Sequence, residues 1–102
     1  MQFNESKKII FKYSSRSIII DDEPLNPKLD IGKRFEWGLD SQDSRLTAFH
    51  ILNHYAEASI AYSKHIQFTQ EIVVNIPRRD CKIDESIIRK WVVRHCQRLG
   101  KY

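Results

Sequence analysis

The apolar residues of this chain change their period part-way along it. Before residue 21 they come as β-branched and aromatic runs, K-K-I-I-F-K-Y from Lys7 to Tyr13 and S-I-I-I from Ser17 to Ile20, parted by the polar Ser14-Ser15-Arg16. Beyond residue 43 they return every third or fourth position, the period of a helix resting one face on a core. The pattern predicts an α+β fold: a small N-terminal antiparallel sheet, a hairpin plus a short third strand, packed against two or three α-helices. Residues 1–102 form a single domain on this reading. A chain of this length closes one core and has little left to enclose a deep substrate cavity, which favours a binding module over an enzyme.

The connections carry their own signals. Asp21 to Asp30 contains Pro24 and Pro27, each of which removes a backbone donor and pushes its predecessor to an extended conformation, so a loop is expected. Arg34 to Gly38 (R-F-E-W-G) alternates polar and aromatic residues and stops on glycine, as a short third strand would, with Phe35 and Trp37 on its core face and Glu36 opposite. Asp43 or Ser44 can cap the next helix. Its stripe is Leu46, Phe49, Leu52, Tyr55 and Ala56, with His50 and His54 off that face. A second helix is expected from about Ser59 to Asn75, with Tyr62, Phe68, Ile72, Val73 and Ile76 as its stripe. Within it, Glu71 to Ile76 would serve equally as a strand, because consecutive β-branched residues weaken the helix preference. Pro77 ends either element.

Asp84 followed by Glu85 reads as the N-cap and first turn of a last helix, and Gly100 as its left-handed terminator. Ile87, Ile88, Trp91, Val92, His95 and Leu99 form its core stripe, leaving Lys90, Arg94, Gln97 and Lys101 on the opposite face. The charge gives that face its interest. The chain carries 17 Lys and Arg against 13 Asp and Glu, a net of +4. From Arg78 to Tyr102 eight basic side chains meet three acidic ones, while Asp21 to Asp43 holds seven acidic against three basic. The surplus thus belongs to the C-terminal quarter. The candidate residues for binding a partner or nucleic acid are Arg78, Arg79, Lys82, Lys90, Arg94 and Lys101.

No catalytic pattern accompanies that surface. Gly32, Gly38 and Gly100 are the only glycines, so no Walker loop, dinucleotide fingerprint or nucleophile elbow can be built, and no cofactor is expected. His50 and His54 stand at the i, i+4 spacing at which two imidazoles can share a metal ion. No Glu lies between them, and a third ligand would have to come from Asp43, His65 or a cysteine, so they are read as surface histidines and no metal site is assigned. Cys81 and Cys96 form no C-x-x-C pair and are expected as reduced thiols. His95, on the apolar stripe, is read as a satisfied core histidine. Glu36 and Asp40 are read as acidic side chains at a strand end, not an acid–base pair. No apolar run approaches the roughly 20 residues of a bilayer crossing. Met1 to Lys8 lacks a basic stretch followed by an apolar core, so a cytoplasmic location without membrane contact is expected.

The order of features is Ile18-Ile19-Ile20-Asp21, Leu25-Asn26-Pro27, then Phe35-Glu36-Trp37-Gly38 leading into a helix. Tyr62 and Phe68 follow ahead of Ile72-Val73 and Ile76-Pro77, and Ile87-Ile88 precedes Trp91. This order resembles a domain-of-unknown-function family of short bacterial, archaeal and phage proteins, marked by F-E-W-G-Y and a Gly/Ser-rich stretch. The resemblance covers residues 9–93, and its specific part is Phe35 to Gly38. It implies a compact α+β domain, frequent residence in mobile elements and no established catalytic residues. Where that family continues with a G-S-G-P-A-Q-L-A-type segment, this chain runs from Leu39 to Ala48 without a glycine. If the family's glycines bring its backbone close to a ligand, that ability is missing here.

The expected function is that of a small non-enzymatic binding protein, phage or mobile-element encoded, docking on a protein partner. An inhibitor of a host defence complex is one concrete form. The alternative is a nucleic-acid-binding accessory protein using the basic C-terminal helix on phosphates.

Overall fold

The computed structural model describes residues 7–25 and 34–96. Its elements are β1 (Lys8–Lys12), β2 (Ser17–Ile20), β3 (Glu23–Pro24), α1 (Gln42–Tyr55), α2 (Ala58–Glu71), a 3-10 turn at Val73–Asn75, β4 (Cys81–Asp84) and α3 (Glu85–Cys96). The strands form one antiparallel sheet in the order β3-β2-β1-β4, and the fold is α+β. The expected hairpin is present, with Ile10 opposite Ile19 and Phe11 opposite Ile18. Alternation along the strands sends Ile9, Phe11, Ile18 and Ile20 into the core. There they meet Ala48, Ile51 and Leu52 of α1, Ala61 and Phe68 of α2, and Ile88 and Trp91 of α3.

The third strand is not at Arg34 to Gly38. That segment joins no ladder, and three of its amides are taken elsewhere: Glu36 N donates to Thr47 Oγ1 (2.9 Å), Trp37 N to Glu36 Oε1 (2.9 Å) and Gly38 N to the Val73 carbonyl (2.9 Å). Strand pairing comes instead from two unforeseen places. β3 lies in the stretch expected as a loop, and Pro24 is tolerated there because β3 is the sheet edge. Asp21 and Asp22 form the two-residue turn before it, both with positive φ (56° and 65°), the hairpin geometry that suits the twist of the strands. β4 arrives from the far end of the chain and sets Ile83 against Ile9.

α1 is capped by Ser41, not by Asp43 or Ser44: its Oγ accepts from Ser44 N at 3.1 Å. Its buried face is Ser44, Thr47, Ala48, Ile51 and Leu52. The face is turned by about one position from the expected stripe, leaving Leu46, Phe49, Tyr55 and Ala56 half-buried. Two hydroxyl residues account for the turn. Thr47 Oγ1 accepts from Glu36 N and donates to the Asp43 carbonyl (3.2 Å), so a polar side chain sits in the core fully bonded. Glu71 to Ile76 is neither a continued helix nor a strand: α2 stops at Glu71, Ile72 N bonds the Phe68 carbonyl (2.8 Å), and a 3-10 turn follows. Tyr62, assigned above to a core stripe, is 72% exposed, and Ile87 is 47% exposed. At the head of α3, Asp84 Oδ1 accepts from Ser86 N (2.9 Å), as the cap reading requires. Cys96 ends the described part of α3, so Gln97, Leu99, Gly100 and Lys101 lie outside the described residues.

Candidate functional site

Two groups of residues invite a functional reading: the F-E-W-G segment and the basic positions of the C-terminal quarter. Phe35 to Gly38 ties the sheet, α1 and the segment before β4 together. Phe35 and Trp37 are buried, and the Trp37 ring stands edge-on to Phe11 and Tyr13 with centroids 5.1 and 5.3 Å away. Its indole N–H donates to the Pro77 carbonyl (2.9 Å). Glu36, placed opposite the core by the strand reading, is itself only 8% exposed. Its Oε2 accepts from Arg78 Nη2 (3.3 Å) and from the Tyr13 hydroxyl (3.5 Å), and Arg16 Nε lies 3.7 Å from Oε1. The Arg16 guanidinium rests 3.6 Å over the Tyr13 ring and donates to the Tyr13 carbonyl, which holds Arg16 at a φ of 53°.

Burial is the largest single influence on the Glu36 carboxyl and pushes it up. The Trp37 N–H, the charges of Arg16 and Arg78 and the Tyr13 hydroxyl outweigh it together, and the group is held below the usual carboxylate range. Gly38 has a φ of 87°, and a Cβ there would lie 2.9 Å from the Ile76 carbonyl and run into the Arg78 side chain. Every residue of the segment is thus consumed in holding the fold. Glu36 faces two cations and a phenol, with no second carboxylate among its hydrogen-bond and ion-pair partners for acid–base work. Asp40 lies apart in a two-bonded pair with Arg45 (3.0 and 3.2 Å).

The structure does not gather the six candidate basic residues into one surface. Arg78 is committed to Glu36. Lys82, on β4, lines an open depression of about 400 Å³ with Lys7, Lys8, Ile10, Asp21 and Asp22, where Lys7 pairs with Asp21 at 3.1 Å. Arg79 is exposed in the turn before β4, its N–H on the Pro77 carbonyl (2.8 Å). Lys101 lies outside the described residues. Lys90 and Arg94 do come together. With Arg89 and Val93 they line an open depression of about 420 Å³ on the outward side of α3. Val93 is 61% exposed there, two residues and so more than half a turn of helix away from the buried Trp91. Neither Lys90 nor Arg94 makes a salt bridge to another described residue, whereas Arg89 pairs with Glu85 at 3.0 Å. Sequence reasoning found these two cations from the wheel. It missed Arg89 and Val93, although the same wheel places both on the outward side.

The histidines and the free thiol find local partners. His50 packs edge-on against Phe35 and Phe49, and burial lowers its pKa. His54 turns elsewhere, with Nε2 3.9 Å from Asp21 Oδ2. No cluster of three or more His, Cys, Asp or Glu able to hold a metal occurs among the described residues. His95 is satisfied as expected: Nδ1 is 3.0 Å from the Trp91 carbonyl, Nε2 is 3.3 Å from Glu71 Oε1, and the ring stacks on Trp91 at 3.9 Å. The Cys81 thiol is pushed up by burial, away from the thiolate that a nucleophile needs. Among the described residues no helix is long and apolar enough to cross a membrane.

A family model described as a family of unknown function, DUF6166, matches residues 11–94. The chain belongs to that family. The matched range contains the whole of the F-E-W-G segment and the four residues Arg89, Lys90, Val93 and Arg94 of α3, while Lys101 lies beyond it. Comparison with curated proteins and with solved structures found no match.

Proposed function

We propose that this DUF6166 protein is a non-enzymatic binding protein that acts by docking on a protein partner, with the outward face of α3 as its contact surface. One observation carries the reading: Val93 stands 61% exposed among Arg89, Lys90 and Arg94, two of which lack an ion-pair partner among the described residues. A lone exposed valine is ordinary on a protein surface. Here the aliphatic stems of three cations extend it into a shared depression, combining an apolar centre with a charged rim. Rim charge of this kind steers encounter and selects partners. An inhibitor-type role on a host defence complex, from a phage or other mobile element, is the concrete form we propose. A pull-down from host lysate at physiological salt, followed by titration of the retained protein, tests it. A saturable partner is expected, and retention of none contradicts the reading.

The lack of a salt-bridge partner for Lys90 and Arg94 among the described residues also suits phosphates, which is the second reading. It predicts a mobility shift in low salt that fades steeply as salt rises and is lost in Lys90→Glu/Arg94→Glu. Against it, Arg78 is spent on Glu36 and Lys82 lines a different depression, so these four do not share one basic track.

A further inference from the structure

Resting on the docking reading, we propose that the partner segment seated on α3 is an acidic amphipathic helix. Its apolar ridge would cover Val93, and two of its carboxylates, one turn apart, would meet Lys90 and Arg94. The geometry of the face selects a helix. Lys90 and Arg94 are four apart, and so are Arg89 and Val93, which makes two parallel ridges of side chains along α3. The depression lined by these four residues is the groove between those ridges, the relief into which a ridge of another helix packs. Carboxylates at i and i+4 on such a helix repeat the spacing of Lys90 and Arg94.

The charge selects an acidic occupant. Among the described residues the nearby carboxylates are already engaged. Glu85 accepts from the Tyr55 hydroxyl (3.0 Å) and from Arg89 (3.0 Å). Glu71, whose charge reaches Arg94, holds the Trp91 indole N–H (2.8 Å), Gln67 (3.0 Å) and His95 (3.3 Å). Lys90 and Arg94, which no described residue pairs, are left for a partner to neutralise. The apolar centre distinguishes that partner from nucleic acid: Val93 offers a surface for an apolar side chain, and among the described residues the groove is lined by no aromatic ring on which a base could stack.

The test uses the full chain and a synthetic amphipathic peptide with Glu at i and i+4 on either side of a leucine ridge. Controls are the same peptide with Lys for Glu and a short duplex DNA, with binding read by fluorescence anisotropy at low and physiological salt. The acidic peptide is expected to bind, and the lysine peptide and DNA are not. Lys90→Glu/Arg94→Glu is expected to weaken the peptide about tenfold or more. Lys12→Glu/Lys82→Glu, with the same change in net charge on the sheet, is expected to leave affinity within about threefold. Equal losses in the two double variants, tighter binding of the DNA, self-association of the protein through this face, or no binding of the acidic peptide each overturn the proposal. Circular dichroism checks that the variants are folded. If the peptide fails while a lysate partner is still retained and is lost on Val93→Asp, docking stands and the acidic helix falls. If the lysate yields no partner, docking itself falls.

Discussion

Glu36 and Lys90 are both charged side chains of one chain, and the protein treats them in opposite ways. Glu36 is withdrawn from water and answered at each oxygen by Arg16, Arg78, Tyr13 and the backbone of Trp37. Lys90 stands in water beside an exposed valine and Arg94, and neither cation has a salt-bridge partner among the described residues. A charge that has been desolvated and fully paired has little left to offer another molecule, and removing its partner is costly. A charge left unpaired contributes little to stability and remains free for binding. The most recognisable motif of the sequence is therefore the stabilising region, and the proposed binding region carries no motif.

That contrast is broken or sharpened first at Trp37. Trp37→Ala removes a fully buried ring and its bond to Pro77, and is expected to cost about 3–5 kcal/mol in urea unfolding. Glu36→Ala leaves Arg16 and Arg78 facing a vacated site and is expected to cost about 3 kcal/mol. The pH dependence follows the same group. Folding lowers the Glu36 pKa, so its stabilisation is present above the ordinary carboxylate range and is lost as pH falls through the lowered folded value. Glu36→Gln is expected to flatten that acid-side loss, and an unchanged profile from pH titration of the melting temperature would count against the pairing. Gly38→Ala forces a side chain into a left-handed backbone against the Ile76 carbonyl and Arg78, for an expected loss of about 1–3 kcal/mol. Asp22→Gly works in the other direction. It relieves a positive φ in the hairpin turn and is expected to add about 0.5 kcal/mol, seen as a raised denaturant midpoint.

How far the sequence could show this differs between the two regions. The hairpin, the three helices and the capping Asp84 were legible because their signals are local: alternation, three-to-four spacing, a short oxygen before a helical run. The partners of Glu36 were not, since Arg78 lies 42 residues away and no pattern in R-F-E-W-G announces which amides are already bonded. The alternation of the same segment reads as a strand because it does not show those bonds. β4 escaped because four residues, C-K-I-D, are too short to show a period, and only pairing with β1 makes them a strand. The α1 stripe reads one position off because Ser44 and Thr47 count as polar until their buried hydroxyls are seen bonded, Ser44 to the Ser41 hydroxyl and Thr47 to the Asp43 carbonyl. On α3 the wheel gave Lys90 and Arg94 directly, yet net charge grouped them with Arg78 and Lys82, which the fold sends to other tasks.

The smallest expected effect on stability is at Val93, and the account depends on it most. Val93→Asp places a carboxylate in the α3 groove without touching the core, and is expected to change unfolding free energy by no more than about 0.5 kcal/mol. The decisive measurement is retention of the lysate partner by folded Val93→Asp beside the unaltered protein. The docking account expects retention to be lost while the melting temperature is unchanged. Full retention by the folded variant would contradict it.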